Sequence, residues 1–304
     1  MSYELRPLSL AEILDAGFRL VQTEWKTLVG LATIMQIPLI PIGLLAPWLF
    51  DPFAQPFDPG EEISSDLLLE MVLGFGAMGL VYLLLYPFIA AAVTASVGNF
   101  YLGRRFELVD AARAGARAIF RLIGSYIVWV VAYVGVMAAV GGLTAVVFLV
   151  GGAAMGGLLE ETGTIGVIVA VLLGSGVAAV AIFWIFFATF VSSLLPAITV
   201  LESHGIFGTV RRAFSLGATS KWRLIGIVFT TGMIVAVPVV GAQMLIGMIP
   251  VVGLLVWAVF QAIGFAFTTA VTVVLYFDLR CRAENYDLEL LAEQVEAGPG
   301  LGHG

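Results

Sequence analysis

Residues 122–159, LIGSYIVWVVAYVGVMAAVGGLTAVVFLVGGAAMGGLL, carry no charged side chain. About 20 apolar residues suffice for a helix to cross roughly 30 Å of hydrocarbon, and this run is nearly twice that long. A membrane strand would alternate polar and apolar residues over about ten positions. The run is apolar all round, so it predicts a transmembrane helix. Five further stretches qualify in the same way: 28–50, 67–100, 165–201, 224–249 and 251–277. The composition agrees. Of 304 residues, 61% are hydrophobic and 12% charged, and the mean hydropathy is +1.06. A soluble chain holds about 25% charged residues. This balance excludes a soluble enzyme and a nucleic-acid binder. A single cysteine, Cys281, excludes a disulfide framework and a multi-thiolate metal site.

The expected fold is therefore all-α: a polytopic membrane protein with six transmembrane helices, arranged as three helical hairpins, each preceded by an amphipathic cytoplasmic helix. The spans at 67–100, 122–159 and 165–201 exceed what an upright helix needs. They must tilt, project or break, the last at pairs such as Gly141–Gly142. Pro38, Pro41 and Pro47 remove backbone donors and should kink the first span. Charge sets the orientation. All 14 lysines and arginines lie in the N-terminal segment, the second-to-third connection, the fourth-to-fifth connection or the C-terminal segment. The alternate connections hold Asp51, Asp58, Glu61, Glu62, Asp66 and Glu70, or Glu160 and Glu161, and no cation. By the positive-inside rule both termini are cytoplasmic, in the inner membrane of a prokaryotic cell. This divides the chain into a cytoplasmic interfacial segment, 1–26; a transmembrane domain, 27–277, with amphipathic connections at 101–121 and 202–223; and a cytoplasmic tail, 278–304.

Segment 1–26 reads as a surface helix and not as a signal peptide. Ser9 and Glu12 form a capping box, and Leu10, Ile13, Leu14, Phe18, Val21 and Trp25 fall on one face. The arrangement recurs: an amphipathic stretch, an aromatic–basic pair, then leucine and an early glycine. The junctions are Trp25-Lys26-Thr27-Leu28-Val29-Gly30, Phe120-Arg121-Leu122-Ile123-Gly124 and Trp222-Arg223-Leu224-Ile225-Gly226, spaced 95 and 102 residues apart. Three units of surface helix plus hairpin are expected.

Candidates for chemistry are few. Gly74-Phe75-Gly76-Ala77-Met78-Gly79 matches a dinucleotide-binding pattern, but it lies in hydrocarbon without a preceding strand and predicts helix packing instead. His204 and His303 lack a second histidine at ligand spacing, so no metal, no cofactor and no catalytic residue are expected. Gln36, Gln243 and Gln261 are the main polar side chains inside the spans, as interhelical glue or as the lining of a pathway. Arg113, Arg117 and Arg121 recur every fourth residue along a helix at 106–121, flanked by Arg104 and Arg105. Arg211, Arg212, Lys221 and Arg223 form a second cluster. Near an anionic leaflet each cation contributes about 1 kcal/mol, so both patches are candidate sites for acidic lipid headgroups or for a membrane or cytoplasmic protein partner. Residues 284–297 predict a short amphipathic helix, and Cys281 a free thiol at the membrane edge.

Three stretches carry a resemblance: Leu5-Arg6-Pro7-Leu8-Ser9-Leu10-Ala11-Glu12-Ile13-Leu14-Asp15; Arg212-Ala213-Phe214-Ser215-Leu216 with Lys221-Trp222-Arg223-Leu224-Ile225-Gly226; and Tyr276-Phe277-Asp278-Leu279-Arg280 with Tyr286-Asp287-Leu288-Glu289-Leu290. Together they resemble the glycerophosphoryl diester phosphodiesterase membrane domain, a family of prokaryotic six-span proteins. The resemblance implies a membrane partner of an enzyme and not the enzyme, because the soluble phosphodiesterase barrel has no counterpart here. The expected function is a non-catalytic inner-membrane scaffold or accessory protein that engages anionic lipid or a protein partner through its basic face. The alternative is a channel or transporter for a small or amphiphilic solute.

Overall fold

The computed structural model describes residues 6–45, 65–161, 164–202, 204–246 and 250–286. Among them every regular element is a helix: α1 (Leu10–Thr23), α2 (Trp25–Gln36), α3 (Leu39–Leu45), α4 (Ser65–Tyr101), α5 (Leu108–Glu161), α6 (Thr164–Ser192), α7 (Leu195–Leu201), α8 (Ile206–Thr219), α9 (Lys221–Ile246) and α10 (Pro250–Glu284). Six segments are long and apolar enough to cross a membrane: Trp25–Leu45, Met71–Tyr101, Leu108–Gly142, Ile182–Leu201, Lys221–Met244 and Val251–Glu284. The chain is a multi-pass membrane protein.

Ser9 starts α1 as expected. Its hydroxyl accepts from the Glu12 amide at 3.3 Å, and Glu12 accepts from the Ser9 amide at 2.6 Å. These bonds, with Arg6 nearby, hold the Glu12 carboxyl down at about pKa 2. The first span breaks between Gln36 and Leu39, beside Pro38. The fourth breaks at Ser193–Leu194, where Pro196 stands in the first turn of α7. Of the three alternatives for the long spans, a break at Gly141–Gly142 does not occur: α5 runs through that pair, and α4 runs through its internal Pro87. In hydrocarbon a freed backbone group finds no water, so a helix keeps its ladder through a glycine pair that costs about 1 kcal/mol per residue.

Residues 278–284 continue α10, and residues 108–121 form the first turns of α5. Asp51, Asp58, Glu61, Glu62, His303 and all but the first three residues of the expected 284–297 helix lie outside the described residues.

Burial changes along the long helices. At the end that carries the cations, Ile89–Gly98 of α4 and Ala270–Leu279 of α10 are buried all round. So are Ala111, Ala118, Leu122 and Trp129 of α5, and Leu224 and Ile227 of α9. Further from that end the helices separate. Val130, Val131, Val134 and Val136 of α5 and Val237 and Val240 of α9 are at least half exposed. An apolar face of that extent suits lipid tails and not water.

The basic end is the packed end. Leu28, Leu122 and Leu224, the leucines of the three junctions, are each 0% exposed, while Trp25, Phe120 and Trp222 point outward. α1 lies against α10, where a side chain on Gly17 would meet Val271 at 2.6 Å. The first turns of α5 lie against α4, where a side chain on Gly115 would meet the Phe88 carbonyl at 2.8 Å. α8 contacts α5, α7 and α6, and a side chain on Gly217 would meet Val191 at 2.8 Å. In the Gly74–Gly79 motif Gly74 is buried, whereas Gly76 and Gly79 face open space.

Candidate functional site

The turn from α4 into α5 builds the site. Gly103 adopts a left-handed φ of 72°, a conformation that favours glycine, and the Arg104 amide donates to the Asn99 carbonyl at 2.9 Å. The reversal places Arg104 and Arg105 at the mouth of a cleft of about 580 Å³, whose other walls include Phe100, Phe106 and the α1 end at Glu24. A second cleft of about 340 Å³ holds Arg113 and Arg117 beside Asn99, Phe106 and Leu201. Phe106 lines both. Four of the nine candidate cations are thus brought into two adjoining clefts.

Arg113 leans on Asp110 at 3.4 Å, with both groups largely exposed, a contact worth at most about 1 kcal/mol. Arg104, Arg105 and Arg117 have no acidic partner among the described residues. Glu24 and Glu107 share the larger cleft with Arg104 and Arg105, and Asp110 shares the smaller. Four arginines therefore stand against three carboxylates. Such a place favours a compact anion held by guanidinium forks over diffuse attraction of negative charge.

The second cluster behaves differently. Arg223 donates through Nε to Asp278 at 2.7 Å, and its terminal nitrogen donates to the Leu8 carbonyl. Arg282 donates to Asp278 at 3.1 Å and to the same carbonyl at 2.9 Å, while the Leu8 amide donates to Asp278 at 2.7 Å. The Asp278 side chain is 0% exposed, and a buried charge persists only when paired in this way.

Arg212 is also taken up internally. It lies 3.1 Å from Glu202 and pairs with Glu284, contacts that raise its pKa. Glu202 further accepts from Tyr276 at 2.7 Å and sits 2.7 Å from His204. The Arg280 guanidinium lies 3.8 Å from the centre of the Tyr286 ring, a cation–π contact. Arg212 and Arg223 are thus fastenings of the fold. Arg121 is half-buried, and Arg211 and Lys221 are exposed away from the two clefts.

Sequence reasoning missed Glu202, Asp278 and Arg282. Their signal was an acid set in an apolar run, as in Tyr276-Phe277-Asp278-Leu279-Arg280. The three stretches that carry the family resemblance meet at these nodes: Leu8 from the first, Arg212 and Arg223 from the second, Tyr276 and Asp278 from the third.

Gln36 is 4% exposed, and its side-chain oxygen has no hydrogen-bond partner. Gln243 and Gln261 are half-buried. None of the three lines the two clefts at Phe106. Cys281 is a thiol outside any disulfide, as expected, and it is buried. Comparison with family models, with curated proteins and with solved structures found no match.

Proposed function

We propose that the protein is a non-catalytic inner-membrane scaffold or accessory protein. Its basic end faces the cytoplasm and holds the phosphate of an anionic lipid in the clefts joined at Phe106. The observation that carries this reading is that Arg104, Arg105 and Arg117 line those clefts without an acidic partner among the described residues. The phenylalanine walls supply an apolar surface beside the guanidiniums, as a headgroup region requires. The resemblance noted in the sequence, which implies a membrane partner of an enzyme, supports the accessory role.

The same reading takes the chain as three units. Eleven residues before the buried leucines Leu28, Leu122 and Leu224 stand Gly17, Ala111 and Ala213, all small and buried. Each unit's amphipathic helix touches the second span of another unit: α1 on α10, the start of α5 on α4, and α8 on α6. The contacts close into a ring. α2 with α4, α5 with α6, and α9 with α10 are the three hairpins.

Lipid retention tests the proposal. The full chain in nanodiscs of phosphatidylcholine with a minority of phosphatidylglycerol is expected to enrich the anionic lipid. The triple change Arg104→Gln, Arg105→Gln and Arg117→Gln should weaken that enrichment at least about tenfold, since each cation contributes about 1 kcal/mol. Equal enrichment in the triple variant would overturn the site. Recovery of a stoichiometric protein on this face, with no lipid preference, would favour the partner reading instead.

A further inference from the structure

A third cavity, of about 200 Å³, lies within the membrane section where α4, the α6–α7 break and α10 converge. Each contributes hydroxyls: Thr94 from the first, Ser192 and Ser193 from the second, and Thr268, Thr269 and Thr272 from the third. The lining contains no Asp, Glu, Lys, Arg or His. In the three-unit reading these helices are the second spans of the three units, so the cavity sits where the ring closes.

The direction of the hydroxyls matters. Ser192 donates to the Thr189 carbonyl at 2.6 Å, Ser193 to Phe190 at 2.7 Å and Thr272 to Thr268 at 2.8 Å. Such bonds back onto the helix are ordinary, but they commit the protons and leave the oxygen lone pairs as acceptors. Thr94 departs from the pattern. Buried Thr199, Thr231 and Thr272 each bond the carbonyl four residues back, whereas the Thr94 hydroxyl, at 1% exposure, has no partner. An unmade buried hydrogen bond costs about 1–3 kcal/mol, so a group that can both donate to the Thr94 oxygen and accept its proton belongs beside it, as a hydroxyl does.

A cation would enter without a counter-charge, at a desolvation cost of several kcal/mol. A neutral donor escapes that cost. The rings of Tyr86 and Phe265, edge to face at 5.8 Å, form a wall for carbon atoms, and the Tyr86 hydroxyl is hydrogen-bonded to that of Tyr126, which also lines the cavity. The volume equals that of about six or seven waters. We propose that this cavity binds a neutral hydroxyl-bearing molecule, either a small polyol or the glycerol end of a neutral lipid.

Saturation-transfer NMR on the full chain in phosphatidylcholine nanodiscs tests this, with glycerol as the probe. Transfer to glycerol is expected, and Thr94→Val, which keeps the shape and removes the hydroxyl, should weaken binding about tenfold. Ser193→Ala serves as a second variant, and melting temperatures confirm that each folds. Displacement by a short-chain diacylglycerol identifies a lipid source, and persistence of the glycerol signal identifies a free polyol; both support the site. No transfer from either probe, equal binding by folded variants, or preference for ethanolinium over glycerol would overturn it. The arginine changes in the basic clefts should leave glycerol transfer intact, so this test fails or succeeds separately from the lipid-phosphate reading.

Discussion

Arg223 and Asp278 stand 55 residues apart, yet one depends on the other. Asp278 is surrounded by two guanidiniums and an amide and has no access to water. Removing one member of such a buried set leaves the remainder uncompensated, at about 3–5 kcal/mol. Asp278→Asn should therefore lower stability by that amount in a denaturant or thermal melt. Arg223→Gln should cost less, because Arg282 remains. The double variant should fall short of the sum, since both changes strike one network. This is also where sequence reading ran out. It located every cation near the basic end from charge bias alone, because that bias is a property of sequence position. It did not divide the cations that face outward, such as Arg104 and Arg117, from those turned inward, such as Arg212 and Arg223. That division depends on acids 10 and 55 residues away that only the folded chain brings near.

Local signals were legible wherever the physics is local. The Ser9–Glu12 cap and the break at Pro38 involve neighbours within a few residues, and both occur. Glycine pairs leave α5 unbroken because their cost is small beside that of an unsatisfied backbone in hydrocarbon. Proline, which lacks the donor, accompanies the breaks in the first and fourth spans, while α4 still continues through Pro87. At the α6–α7 break the Ser192 and Ser193 hydroxyls bond the carbonyls of Thr189 and Phe190 near the helix end. The continuity of α5 has its own consequence. From residue 122 to Glu161 it spans about 60 Å at 1.5 Å per residue. Even a 40° tilt leaves about 46 Å along the bilayer normal, beyond the ~30 Å hydrocarbon. Tilt alone does not absorb the length, so the helix projects past the core. Its anchor is the contact at Gly115, where an added methyl meets the rigid Phe88 carbonyl and not a movable side chain. Gly115→Ala should push α5 from α4 and cost about 1–3 kcal/mol, while Gly135→Ala, which meets nothing within 4 Å, should be neutral or slightly stabilising in the same melt.

At the scale of the molecule, a tight basic end and separated apolar helices answer two solvents. Hydrocarbon gives no hydrophobic drive for helix to meet helix, so association there rests on small residues and polar contacts. At the basic end, α1 and α8 bury Ile13, Leu20, Ala213 and Leu216 against the spans, and Asp278 and Glu202 lock the layer. The ion pairs thus sit at the end where the cations do, which ties the packing gradient to membrane orientation. If the basic end is cytoplasmic, the exposed Arg117 and Arg211 lie on that side, and Asp66, near the start of α4, lies on the other. Single cysteines at these three positions, in a Cys281→Ser background, place the prediction in a labelling experiment with intact cells. An impermeant maleimide should modify Asp66→Cys at once, and should reach Arg117→Cys and Arg211→Cys only after the membrane is opened. Labelling of either arginine position in sealed cells would invert the molecule, and it would place the clefts at Phe106 against the outer leaflet rather than the cytoplasmic one.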